Sequence, residues 1–109
     1  MSFREERIAH NEALGRGINE QIERAHGSPP RDRSIRIVCE CGFETCDAFI
    51  EVTMDEYQRI RSDARQFCVV KEHVIHDVEE VVLEADRFTV VAKREGTAAE
   101  VATRTNTRR

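Results

Sequence analysis

The sequence predicts an α+β fold: an N-terminal helix, a small and mostly antiparallel sheet, one further helix and a disordered C-terminal tail. Three observations carry this. Apolar residues recur at near-helical spacing over residues 3–26, up to a Gly27-Ser28-Pro29-Pro30 break. Beyond the break come short β-prone runs bounded by turn residues. The last apolar run ends near Lys93, and the remainder, REGTAAEVATRTNTRR, lacks the bulky apolar residues a core needs. The organisation expected is a helix over 1–27, an α+β domain over 34–93 and a tail over 94–109.

In the first helix, Ile8, Leu14, Ile18 and Ile22 form an apolar stripe, with Phe3, Ala9 and Ala25 beside it. Ser2, with Glu5 three positions on, reads as a capping box. Glu12 with Arg16, and Glu20 with Arg24, are i,i+4 pairs in the favourable order. Gly15 and Gly17 weaken the middle by about 1 kcal/mol each relative to Ala. A stripe this narrow needs a partner surface, which is the chain's own sheet, a second copy or another protein.

After the polar linker SPPRDR, Ile35, Ile37 and Cys39 alternate with Arg36 and Glu40, a strand that runs into the segment CECGFETC. Ala48 to Val52 reads as the return strand of a hairpin. Thr53 and Glu56 then form a capping box, and Met54, Tyr57 and Ile60 fall at helical spacing until Ser62–Asp63. Phe67 to Val70 is a third strand, with Cys68 expected as a small buried hydrophobe. Val78, Val81, Val82 and Leu83 predict a fourth, with Glu79, Glu80 and Glu84 facing water; a short helix fits the same spacing. Asp86–Arg87 reads as a turn, and Phe88 to Ala92 as the final strand.

The chain has 109 residues, 39% of them apolar, and no Trp, which is a thin core for the length. The net charge is −4. It concentrates in residues 31–93, with nine basic and fourteen acidic groups, and reverses in residues 94–109, with four Arg and two Glu. An acidic body opposes a general nucleic-acid binder. No apolar run approaches the roughly 20 residues of a membrane helix. Charges interrupt MSFREERIAHNEA where an export signal needs an apolar stretch, so a cytoplasmic protein is expected. Four cysteines in that compartment are more often metal ligands or redox thiols than disulfides.

Cys39, Cys41 and Cys46 lie within eight residues around Gly42. Such a cluster builds a poor core but a good thiolate set for a soft metal, and zinc takes four thiolate or imidazole ligands in a tetrahedron. Cysteines one residue apart point to opposite faces of a flat strand, so the chain must bend, and Gly42 is expected to supply a positive φ for the knuckle. The fourth ligand must come from His73, His76 or Cys68; His73 is expected, with His76 as the substitute. A Cys3His set is closed and structural; an open fourth position would admit water, with Glu40 or Glu44 as a general base. His10 and His26 are expected in solvent.

The order REERIAHNEA, VCECGFETC, the EYQRIR helix, a Phe-bearing strand leading to His73 and a closing strand ending at Lys93 resembles a family of small, uncharacterised bacterial proteins of actinobacterial type. Members share a CECG…C cluster and a downstream glycine–histidine. The resemblance covers about residues 3–93 and implies Cys39, Cys41, Cys46 and His73 as zinc ligands. It does not extend to Cys68, and Lys71 and Glu72 stand where the pattern has proline and glycine. It implies no activity.

The function expected is a zinc-binding accessory or regulatory module, not an enzyme. It would act through contact with a protein partner, or through self-association by the N-terminal helix. Two alternatives stand beside it. One is a redox sensor whose thiolates release zinc on oxidation. The other is a nucleic-acid-binding zinc domain using Arg31, Arg33, Arg36 and the tail. No Gly-rich phosphate loop, Ser–His–Asp arrangement or HExxH helix is present in the sequence.

Overall fold

The computed structural model describes residues 3–27, 30, 32–94 and 97–106. The elements in chain order are α1 (Phe3–Ala25), β1 (Ser34–Val38), β2 (Phe49–Thr53), α2 (Met54–Arg61), β3 (Gln66–Val69), a single 3-10 turn (Lys71–His73), β4 (Glu79–Glu84), β5 (Thr89–Lys93) and α3 (Thr97–Arg104). This is an α+β fold with two small antiparallel sheets, β1-β2 and β3-β5-β4. No helix among the described residues is long and apolar enough to cross a membrane.

Alternation builds the first sheet. Ile35 and Ile37 of β1 sit opposite Val52 and Ile50 of β2 and face the core, while Arg36 and Glu51 pair on the outer face. Thr53 ends β2 and caps α2: its hydroxyl accepts from the Glu56 N–H at 3.0 Å, and the Glu56 carboxylate accepts from the Thr53 N–H at 2.7 Å. That reciprocal box places Met54, Tyr57 and Ile60 inward. In the second sheet β5 is central, and Val90 and Val91 are both buried. Residues 79–84 form a strand rather than a helix, but not with the faces expected. Glu79 is buried, Val82 and Leu83 are exposed, and the register shifts between Val81 and Leu83. The shift turns the edge strand over partway along its length.

The two sheets meet at Glu40. Its backbone N–H donates to the Cys68 carbonyl at 2.8 Å, and its carboxylate accepts from the Cys68 N–H at 2.9 Å. The side chain therefore supplies the acceptor that a neighbouring strand would have offered to β3. Ile35, Ile37, Ile50, Val52, Tyr57, Phe67, Val90 and Val91 form one continuous core on either side of that joint.

The N-terminal helix forms as expected but buries the wrong face for its apolar stripe. Ile8 and Ala9 are buried and Ile22 is half-buried, whereas Leu14 and Ile18 are 56% and 50% exposed. The rest of the buried face is polar: Glu12, Arg16, Asn19 and Glu20. Each has a partner on another element. The Asn19 amide donates to the Val38 carbonyl and accepts from the Val38 N–H, both at 2.8 Å, so it closes the end of β1 as a strand would. Arg16 donates to the carbonyls of Ala64 and Ala102, both at 2.7 Å. Glu20 pairs with Arg61 at 2.7 Å, and Glu12 and Glu79 share Lys93. The two i,i+4 surface pairs expected for Glu12 and Glu20 are thus replaced by buried pairs across the fold. Burial pushes the Glu12 carboxyl up to about 9, against the pull of Lys93. The Ser2 cap lies outside the described residues.

Residues 97–104 form α3, where the sequence predicts a disordered tail. Ala99 and Ala102 are buried, small enough to bring α3 close to α1. Arg16 also reaches the Thr105 hydroxyl at 3.0 Å, and Arg61 reaches Asn106, so two buried guanidinium groups hold the C-terminal end of the helix. A cation there satisfies free carbonyls and complements the helix dipole. The short apolar residues of TAAEVATR hide this contact from a pattern search.

The two helix glycines separate cleanly. A Cβ at Gly15 would lie 3.4 Å from the Glu40 Cα, so α1 rests there directly on the chain. A Cβ at Gly17 would meet nothing within 4 Å. Gly17→Ala is therefore expected to stabilise the protein by about 1 kcal/mol, by helix propensity alone. Urea denaturation measures it, and a destabilised variant would contradict this placement of α1.

Candidate metal centre

Cys39 is the first residue past β1, and its N–H still bonds to the Ala48 carbonyl at 3.0 Å, continuing the hairpin ladder. Cys41 follows two residues on. The chain then turns through Phe43 and Glu44, and the Cys46 N–H closes the turn on the Phe43 carbonyl at 3.1 Å. His73 arrives from the other sheet, as the last residue of the 3-10 turn after β3. The three sulfurs and one imidazole nitrogen all lie within 4.8 Å of one another, a Cys3His set able to hold a metal ion. His73 Nδ1 is 3.3 Å from the Cys46 sulfur and 3.7 Å from the Cys39 sulfur. Ligands about 2.0–2.3 Å from a shared tetrahedral centre stand about 3.3–3.8 Å apart, so these two spacings fit.

Backbone donors converge on the sulfurs. The Val70 N–H donates to the Cys39 sulfur at 3.2 Å. The Phe43 and Ala48 N–H groups favour the thiolates of Cys41 and Cys46 in the same way. Among the thiols, Cys41 is lowered to about 5, first by the hydrogen bond from Cys39. Cys39 is raised as the reciprocal of that bond and by burial, and Cys46 is raised by burial. The geometry thus holds negative charge on sulfur and leaves protons for a cation to displace. Phe43 lies against His73, ring centroids 5.1 Å apart, and shields one side of the imidazole.

Of the alternatives for the fourth position, the structure brings in His73 and neither Cys68 nor His76. Cys68 is fully buried, burial raises its thiol, and its neighbours are core residues. His76 is exposed. Glu40, considered as a base beside an open metal position, points the other way. It is fully buried and accepts from Asn19 at 2.9 Å, from the Tyr57 hydroxyl at 3.0 Å and from the Cys68 N–H. Burial pushes its carboxyl up, and the donors from Asn19, Cys68 and Tyr57 together with the charge on Arg61 pull it down. Glu44 stays in solvent.

Gly42 does not carry the positive φ expected of it; among the described residues only Gly27 does. Its role is close approach. A Cβ at Gly42 would lie 2.5 Å from the Ile8 Cγ2 and 3.1 Å from the Ile8 Cα. The Asn11 amide donates to the Gly42 carbonyl at 3.0 Å. Together with Gly15 over Glu40 and Asn19 on Val38, these contacts lay α1 along the whole knuckle strand. Sequence reasoning missed this role for Asn11, Gly15 and Asn19. The signal lay in their i, i+4, i+8 spacing, polar or small where an apolar stripe was sought. Gly42→Ala is expected to cost about 1–3 kcal/mol in urea denaturation, because Ile8 is packed against Ile75 and Val78 and has little room to move. A neutral Gly42→Ala would show that α1 does not sit this close.

No family model, no curated protein and no solved structure matches the chain. The resemblance drawn from the sequence thus reduces to the cluster itself, a Cys3His set able to bind a metal.

Proposed function

We propose that Cys39, Cys41, Cys46 and His73 hold a structural zinc ion, and that the protein is a zinc-stabilised accessory or regulatory module acting through contact with another protein. The observation that carries this is the four-atom set itself, which draws three sulfurs from the β1–β2 hairpin and one imidazole nitrogen from the turn after β3. Zinc suits a thiolate-rich set without a redox role, and a fourth protein ligand leaves no open position for a substrate. That supports a non-catalytic reading, as does the withdrawal of Glu40 into the core. When bound, the ion would supply a cross-link between the knuckle and the β3–β4 connection. Elemental analysis of protein purified without a metal-affinity tag is the test. One zinc per chain is the expected result; iron, or no metal at all, would refute it.

A second reading has a specific observation behind it. Cys46 is the least buried of the three thiols, so an oxidant meets it first. A redox sensor would lose zinc on mild peroxide treatment, whereas a structural centre retains it.

A further inference from the structure

A groove of about 390 Å³ opens beside the centre, between the first turns of α1, the knuckle turn at 42–44 and the two residues after His73. Its lining is of two kinds. Ile8, Phe43, Val74 and Ile75 are apolar, and Phe43 is 46% exposed, a large ring left in water. Arg4, Arg7 and Asn11 run along one face of α1 above them. Asn11 is fixed by its bond to the Gly42 carbonyl. Arg4 pairs with Asp77 in a bridge whose side chains are 52% and 64% exposed, so solvent or another carboxylate competes for it. Arg7 has no hydrogen bond or ion pair to any described residue. Glu44 is the one carboxylate in the lining.

We propose that this groove docks an acidic peptide segment of a partner protein, anchored by one apolar side chain. The anchor packs on Phe43, Ile8 and Val74, and carboxylates flanking it meet Arg7 and Arg4. The lining selects this occupant. A guanidinium pairs bidentately with a carboxylate, and an apolar floor gives a purely polar anion nothing to bury. A nucleic-acid backbone would find only two guanidinium groups here, beside Glu44, and no run of cations to follow. The inference deepens the zinc-module reading and rests on it. One wall of the groove is the turn between Cys41 and Cys46, and the other begins next to His73, so an ion joining these residues sets the width.

The test is a selection of short random peptides displayed on phage against the full chain, with the metal content of the same preparation measured. Enriched peptides should carry Asp or Glu on both sides of an aromatic or aliphatic residue. By fluorescence anisotropy, Arg7→Glu should weaken them by about tenfold or more, the scale of an attractive charge contact made repulsive. Phe43→Ala should weaken them similarly when compared at equal metal content, and Glu44→Gln should tighten them. A metal-loaded preparation that enriches nothing above the bare support overturns the groove alone, as do peptides that bind Arg7→Glu undiminished. Burial of the groove in a concentration-dependent dimer would also overturn it, in favour of a second copy. A metal-free preparation that still selects such peptides overturns the metal reading and leaves the groove standing.

Discussion

Chelation of the proposed zinc ion is expected to lower the thermal midpoint of this protein by more than about 12 °C. The estimate follows from where the centre sits. Small domains have a stability of about 5–15 kcal/mol, and structural zinc sites in short peptides bind with about 10–16 kcal/mol of apparent free energy. Even if most of that is offset by ordering the knuckle, a loss of about 3 kcal/mol remains, and each kcal/mol moves the midpoint of a chain this size by about 4–8 °C. The sites of damage are also predictable. Without the ion, three thiols and a histidine crowd within 4.8 Å, joined across the two sheets by little more than hydrogen bonds to sulfur. The Gly42 turn and the Lys71–His73 segment should loosen first, followed by the N-terminal half of α1, which rests on Gly42 through Ile8 and Asn11. A melt with and without chelator, read beside amide hydrogen exchange, checks both the size and the order. An unchanged midpoint would remove the structural role.

Glu40→Leu is expected to destabilise the protein by about 3 kcal/mol or more, although the residue is no metal ligand. Glu40 is fully buried between two of the cysteines and accepts from Asn19 on α1, Tyr57 on α2 and the Cys68 N–H on β3. Removing it takes an acceptor from three buried donors at once, of which Asn19 keeps its bond to the Val38 carbonyl. One unsatisfied buried group costs about 1–3 kcal/mol, and breaking a buried charged arrangement from one side about 3–5 kcal/mol. Tyr57→Phe removes only one donor and should cost about 1 kcal/mol, which makes it the control. Urea denaturation of both variants decides the matter. If Glu40→Leu costs no more than Tyr57→Phe, the carboxylate is not the joint between the sheets.

Much of the fold is legible in the sequence because local rules act over short distances. The Thr53–Glu56 box, the alternation of Ile35 and Ile37, and the turn at Asp86–Arg87 need only their neighbours, and all appear where expected. The crowding of Cys39, Cys41 and Cys46 is legible for the same reason. The failures share one cause. Hydrophobic periodicity assumes that a helix buries its apolar face, and α1 instead buries Glu12, Arg16, Asn19 and Glu20. That is favourable only because Lys93, Arg61, the carbonyl of Ala102 and the end of β1 wait opposite them. The same holds for Glu79, whose carboxylate pairs with Lys93 and accepts from the Ile75 N–H.

The sequence by itself determined the fold class, the strand and helix order through β5, and the three clustered cysteines, because each depends on residue types within a few positions of one another. Only the tertiary structure decided which face of α1 is buried, that residues 97–104 are a helix, that Gly42 serves close approach, and that His73 rather than Cys68 or His76 meets the sulfurs. Each of those depends on a partner brought from the far end of the chain, and a buried charge or a small residue shows its purpose only when that partner is in place.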